Sequence, residues 1–405
     1  MVDYAAPAAS PLVGREAELE DIARFMGDPL CRLLTLTGPG GIGKTRLAIA
    51  TAQRQRDEYS VQSCFVPLQP LNSPEFIVSA IAQNLQFPFA ADRDLSSQLL
   101  EYLEDKALLL VPDNFEHLLE GAHLLSDILG RAPGVKILVT SRERLNLVEE
   151  WVYEVGGLSL PSDMPDADFE RCGAVQLFVQ NARRAHHSFA LTQENRSAVS
   201  RICRLVGGMP LAIEMASAWA HVLSCAVVAD EIERSLDILE SSVRNLAPRH
   251  RTMRAVFEPT WNRLAEEERA VFARLSVFRG SFALEAAEQI AGASHPVLRA
   301  LADKSLIRMV GAGRYAVHEL LRQYGEEHLK RSPRMHEYTL DTHREYYMSF
   351  LGEREKQMVF LGRQKEACAK MSEELENLRL AWQRTVEQEC FAEIAAGGEG
   401  LWGFY

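Results

Sequence analysis

Residues Gly38 to Thr45 read G-P-G-G-I-G-K-T, a glycine-rich turn carrying one lysine and one threonine between an apolar run and a helical pattern. Glycines let successive backbone N–H groups turn inward on phosphate oxygens, and a helix starting near Lys44 adds its positive dipole end at the same point. The spacing G-x-x-x-x-G-K-T between a strand and a helix is the P-loop signature. Gly38, Gly40, Gly41, Ile42, Gly43 and the following Arg46 would form the cradle. Lys44 would reach the β- and γ-phosphates of ATP, and Thr45 would ligate Mg²⁺.

Downstream, "LLLVPD" closes on Asp113, where a P-loop fold places its second magnesium-side carboxylate. The alternative role for Asp113 is a helix cap ahead of "FEHLLEGAHLL". Pro112 lacks the N–H that a strand interior needs, so the strand is expected to end at Val111. A fast hydrolase adds a neighbouring carboxylate to orient the attacking water, but position 114 is asparagine and Glu116 is the nearest substitute. An amide cannot take a proton, so slow turnover and a retained nucleotide are expected. Arg142, after "ILVTS", follows the next strand, and ligands gather at the carboxyl ends of parallel strands; it would reach a γ-phosphate. The plainer reading is a surface arginine.

These residues need a sheet to hold them. "CFVPL" from Cys64, "ALLLVPD" from Ala107 and "VKILVT" from Val135 follow the first apolar run, with helical patterns such as "PEFIVSAIAQNL" between them. Continuous apolar strands alternating with helices predict a parallel, doubly wound α/β domain over residues 12–157, behind a flexible leader at 1–11. Gly, Pro, Ser and Asp cluster in "GGLSLPSDMPDAD", which marks a loop and the start of a helical domain at 158–250. Within it, Met209 to Ala229 is apolar enough to suggest a membrane span; Glu214, His221 and an early proline favour a buried helix and no membrane contact. Residues 251–332 give three short helices and a hairpin across "GAG", the order of a winged helix. From 333 to 405 the pattern is helical, with Met371, Leu375, Leu378 and Trp382 on one face, a stripe that reads first as ordinary core and second as a partner site; the region is expected to begin a sensor or TPR-like repeat domain. The last residues, "GGEGLWGFY", do not resemble a domain end and suggest a piece of a longer chain.

A chain of 405 residues exceeds what one core organises, in keeping with several modules. The net charge of -12 argues against a surface that tracks nucleic acid throughout. The candidate reading segment "HPVLRALADKSLIRM" offers Arg299, Lys304 and Arg308 beside Asp303, a thin basic face. Seven cysteines form no Cys-x-x-Cys pair and no zinc spacing, as reduced thiols in a cytoplasmic protein would. The opening residues lack the basic start and long apolar centre of a secretory signal.

Taken in order, "VGRE", "GPGGIGKT", "LLLVPDNFEH", "VTSRE", "GGMPLAIE" and "VHELLRQYGEE" resemble the NB-ARC branch of the STAND signalling NTPases, in particular bacterial regulators of the LuxR and AfsR type. The resemblance runs from Leu12 over nearly the whole chain. It implies a closed ADP-bound state and an open ATP-bound state that differ in how the winged helix docks. Val13, Gly14 and Arg15 would line the adenine side, Arg142 would act as sensor, and Pro210 would pack against the base. His318 stands where the family's Met-His-Asp histidine contacts the ADP β-phosphate, although the triplet here is Val317-His318-Glu319. Pro112 also departs from the usual leucine or isoleucine. Bare physical chemistry favours a packed histidine at 318; the resemblance favours a phosphate contact.

Two readings follow. One is a switch whose ATP-Mg state self-associates as a homo-oligomer, with an inducer or protein partner at the C-terminal helical region and DNA reached only through an effector domain outside this chain. The other is a winged-helix ATPase acting directly on DNA, and the same core would also serve a defence NTPase.

Overall fold

The computed structural model describes residues 12–59, 61–88, 90, 93–161, 166–241, 250–311, 313–360 and 364–390. The expected leader and the "GGEGLWGFY" end lie outside the described residues. The chain divides into two compact units, Met1–Val256 and Phe257–Tyr405.

In the first unit, α1 (Glu16–Gly27) buries Ile22 and Met26, as its helical spacing requires. β1 (Leu33–Thr37) leads through the glycine-rich turn into α2 (Lys44–Tyr59), followed by β2 (Gln62–Pro67), α3 (Ile77–Asn84) and α4 (Leu95–Leu103). β3 (Leu108–Asp113), α5 (His123–Arg131), β4 (Val135–Thr140) and β5 (Glu150–Glu154) complete a five-stranded parallel sheet in the order β2-β3-β4-β1-β5. The three inner strands are apolar on both faces because helices cover both. Leu33, Leu110, Ile137 and Val139 are completely buried in a core with Ile81, Leu125 and Ile128. Because β4 lies between β3 and β1, the ends of all three strands meet at one edge, beneath the turn after β1.

Two local expectations need correction. β3 runs on through Pro112 to Asp113, paired with β2 as Val66↔Pro112 and Pro67↔Asp113. The Asp113 carbonyl accepts from Leu68 N–H; alternation therefore turns the proline nitrogen toward β4, past the last pair on that side, Leu110↔Ile137. The missing donor falls where no ladder asks for one. The run after Asp113 is also not one helix. Asn114 takes a left-handed conformation (φ 67°), and two short 3₁₀ turns, Phe115–His117 and Leu119–Gly121, precede α5. β5 has no counterpart in the sequence reading.

The first unit continues with α6 (Gly173–Ala185), α7 (Gln193–Leu205), α8 (Pro210–Ala218), α9 (Cys225–Arg234) and the start of α10 (Met253–Asn262). The apolar stretch Met209 to Ala229 is two helices rather than one. Pro210 opens α8, and α9 begins on Ser224, whose hydroxyl accepts from Val227 N–H. Among the described residues no helix is long and apolar enough to cross a membrane.

The second unit holds α11 (Glu266–Leu275), β6 (Ser281–Ala283), α12 (Leu284–Ala291), α13 (His295–Asp303), β7 (Ile307–Gly311), β8 (Arg314–Val317) and α14 (Glu319–Lys330). Short helices precede a β7–β8 hairpin, with β6 added to form an antiparallel sheet in the order β6-β8-β7. α15 (Pro333–Phe360), α16 (Gln364–Glu373) and α17 (Leu375–Glu387) follow. The expected apolar stripe is split between α16 and α17 at Glu374. This buried carboxylate accepts from Tyr347 Oη at 2.9 Å and pairs with Arg314 at 2.6 Å.

Candidate functional site

Asp113 collects two hydroxyls. Thr45 Oγ1, one residue into α2, donates to Asp113 Oδ1 at 2.7 Å, and Thr140 Oγ1, the last residue of β4, donates to the same oxygen at 2.6 Å. The Thr140 hydroxyl in turn accepts from Asn114 N–H at 2.9 Å. The carboxylate thus faces the glycine-rich turn instead of capping a helix. Burial pushes its pKa above the ordinary carboxylate range, while the hydrogen bonds from Thr140 and Thr45 pull the other way. A threonine hydroxyl and a carboxylate oxygen this close are the donor set that Mg²⁺ takes from a protein when phosphates and water supply the rest. Thr45 and Asp113 fit that role. Thr140 was not singled out in the sequence; its place at the end of a strand between β1 and β3 was the available signal.

Lys44 Nζ donates to the carbonyls of Gly38 at 2.6 Å and Pro39 at 3.1 Å, so the ammonium lies across the turn. Desolvation lowers its pKa to about 8, with Glu116 and Asp113 opposing and Arg142 reinforcing the shift.

Gly38, Gly41 and Gly43 have positive φ angles of 148°, 82° and 100°, which glycine reaches without a Cβ clash. Gly40 is required for another reason. A Cβ there would lie 2.6 Å from Val256 Cγ1 and 3.0 Å from Arg142 Cζ and Nη2. The turn is packed on its far side by α8: Leu211 N–H donates to the Gly41 carbonyl at 3.3 Å, and Pro210 lies 3.9 Å from where a Cβ on Gly43 would be. Arg46, in the first turn of α2, pairs with Glu214 of α8 at 3.4 Å.

The remaining first-unit candidates converge on the same loop. Arg15 is 3% exposed and donates to the carbonyls of Ile42 at 3.0 Å and Gly156 at 2.8 Å, with Glu18 as its ion-pair partner. Val13 and Gly14 precede it, and Gly14 (φ 63°) rests directly on Gly173. Arg142 is buried, not a surface arginine: its Nε meets Glu116 at 3.0 Å and its Nη1 donates to the Val256 carbonyl at 2.6 Å. Glu116 is therefore engaged by Arg142, where the sequence reading had assigned it a water.

His318 lies in the second unit as the N-cap of α14, its Nδ1 accepting from Leu320 N–H at 3.3 Å. That bond assigns the ring proton to Nε2. Two of the three basic residues of the candidate reading segment have acidic partners within the unit, and Arg308 is exposed on β7. Lys304 is bonded to Glu268 at 2.7 Å, and Arg299 approaches Asp303 at 3.8 Å.

No family model matches the chain. A Mycobacterium bovis protein named as an HTH-type transcriptional regulator is 33% identical over 368 residues, which cover 87% of this chain and 40% of that protein. An uncharacterised M. bovis protein is 32% identical over 279 residues, 69% of this chain and 68% of its own. The regulatory protein AfsR of Streptomyces griseus is 26% identical over 344 residues, 78% of this chain and 32% of its own. The chain thus spans well under half the length of the named regulators it matches. With a P-loop on a parallel sheet, the ordered motifs that follow it, and relatives of this kind, the chain belongs to the STAND-class NB-ARC signalling NTPases and resembles their bacterial LuxR/AfsR-type regulators.

Proposed function

We propose that this chain is the core of a nucleotide-operated regulatory switch, which rests with ADP bound, opens and self-associates with ATP-Mg²⁺, and acts on transcription through an effector domain of a longer protein. The observation that carries the reading is the joint Thr45–Asp113–Thr140 cluster beside Lys44, at the edge where β1, β3 and β4 end. In this proposal Lys44 and the backbone of Gly38 to Gly43 hold the phosphates, and Thr45 and Asp113 hold the magnesium ion, which would draw charge from the phosphate oxygens. Val13, Gly14, Arg15 and Pro210 bound the adenine side, and Arg46 braces α2 against α8. Arg142 reads the terminal phosphate, and His318 Nε2–H is the diphosphate contact.

Asn114 supports slow hydrolysis: the residue beside the magnesium carboxylate cannot act as a base, and its left-handed backbone serves the turn that follows. The proposed modules are a nucleotide domain to about residue 157, a helical domain to about 250, a winged helix to about 332 and the beginning of a sensor region. The alternative in which the winged helix binds duplex directly has Arg299 and Arg308 as its exposed basic residues in the reading segment, since Lys304 is committed to Glu268. The test is to denature the purified chain and identify released nucleotide by chromatography. Stoichiometric ADP supports a resting switch; a chain that carries no nucleotide and binds neither ADP nor ATP refutes it.

A further inference from the structure

The Arg142 guanidinium is held on three sides within the first unit. Nε meets Glu116 Oε1 at 3.0 Å, Nη1 donates to the Val256 carbonyl at 2.6 Å, and Cζ and Nη2 lie 3.0 Å from where a Cβ on Gly40 would be. The second Glu116 oxygen accepts the backbone N–H of Arg142 itself at 3.3 Å. Glu116 is 5% exposed, so both of its oxygens are turned to one residue in a place water scarcely enters.

We infer that Glu116 is a positioning residue for Arg142: it fixes the guanidinium plane so that the Nη2 edge faces the glycine-rich turn, where the terminal phosphate of a triphosphate is read. The inference rests on the switch reading and deepens it, because it names what sets the discrimination between ATP and ADP. A guanidinium held at Nε by one carboxylate oxygen, while the other oxygen holds the backbone N–H of the same residue, loses little side-chain freedom when a phosphate arrives, and that preorganisation favours the ligand that reaches it. ADP lacks the terminal phosphate and gains nothing from it. The local chain is built for this placement. The left-handed turn at Asn114 and the 3₁₀ turn at Phe115–His117 carry Glu116 back toward the end of β4, and Phe115 in the same turn is completely buried. A carboxylate so engaged is poorly placed to orient a water, which separates this role from that of a catalytic base.

The experiment titrates wild type, Glu116→Gln and Glu116→Ala with ADP and with a non-hydrolysable ATP analogue, each with Mg²⁺. At pH 6.5, where Lys44 keeps its charge with or without Glu116, the expected result is a triphosphate affinity that falls in the order wild type, Gln, Ala, by about tenfold or more at alanine, while ADP affinity stays within about threefold. Glutamine retains one acceptor for Nε but presents an N–H₂ group to the Arg142 amide, hence its intermediate place. Arg142→Ala should match Glu116→Ala in this split. Equal loss of both nucleotides in a folded protein would overturn the inference, as would unchanged triphosphate affinity with lost single-turnover cleavage, which would return Glu116 to the water. If Glu116→Ala shows no cooperative melt, the near-isosteric glutamine variant decides. A wild type that binds neither nucleotide removes the switch reading itself, an outcome distinct from both.

Discussion

The Lys44 ammonium makes nucleotide affinity depend on pH in a window where few other groups titrate. Desolvation holds its pKa at about 8 in the protein alone. A polyphosphate within a few ångströms favours the charged form and raises that value, so binding takes up a proton near pH 8. Affinity is therefore full below pH 8 and declines as the pH rises above it, until the pKa of the bound state is reached. With a pKa near 8, about 90% of the ammonium is charged at pH 7 and about 10% at pH 9, which corresponds to about a tenfold loss of affinity, or about 1.3 kcal/mol. The nucleotide's own terminal phosphate, with a second pKa near 6, is already ionised across this range. Calorimetric titration with ADP between pH 7 and 9.5, in two buffers of different ionisation enthalpy, reads both the slope and the proton uptake. Lys44→Met should bind weakly with no slope. A wild-type affinity that is flat from pH 7 to 9.5 would refute the reasoning, because it would mean that the ammonium is fully charged throughout or makes no contact with phosphate.

Three further outcomes are expected. Gly40→Ala should cost about 1–3 kcal/mol of stability by overpacking, since its Cβ would sit 2.6 Å from Val256 Cγ1, and a calorimetric melting temperature equal to wild type would contradict that packing. Asp113→Asn keeps the size and removes the charge, so the strengthening of nucleotide binding by Mg²⁺ over EDTA should disappear; its survival would take Asp113 out of the metal role. In the second unit, burial holds His343 at a pKa of about 4, so the folded state stays neutral while the unfolded chain takes a proton below about pH 6.5. Stability from this residue is therefore present above pH 6.5 and lost as the pH falls toward 4, by about 3 kcal/mol. Urea unfolding at pH 7 and pH 4.5 measures it, and His343→Gln should reduce the difference and leave the share of His328, which burial also holds at about 4.

The parallel sheet was legible because β1, β3 and β4 carry continuous apolar runs rather than alternating ones, a pattern that strands covered on both faces require. β5 was not, since its residues Glu150 to Glu154 are mixed and only partly buried; as an edge strand it is fixed by pairing with β1 rather than by its own composition. The single helix expected from Met209 to Ala229 failed for a related reason. Hydropathy registers burial, and both α8 and α9 are buried, but the break between them is set by Ser224 as a cap, a local hydrogen bond that an apolar average hides. Pro112 misled in the opposite direction, because a missing donor ends a strand only if a neighbour is waiting on that side.

At the site, the motif supplied the residue types and the fold supplied their partners. Gly40 shows the difference. In the signature it is one of several glycines that open the backbone to phosphate, yet its φ is ordinary, and what excludes a side chain is the approach of Arg142 and Val256, residues 102 and 216 positions away. Glu116 shows it again: its spacing from Asp113 suggested a helper to the magnesium carboxylate, whereas its oxygens meet Arg142. No pattern within a short window encodes either contact, because both depend on β4 standing between β3 and β1. A charged residue next to a signature motif therefore points to the site but not to its task there. In this protein the task of Glu116 turns on which charge its oxygens neutralise, and the paired titrations with ADP and a triphosphate analogue read that directly.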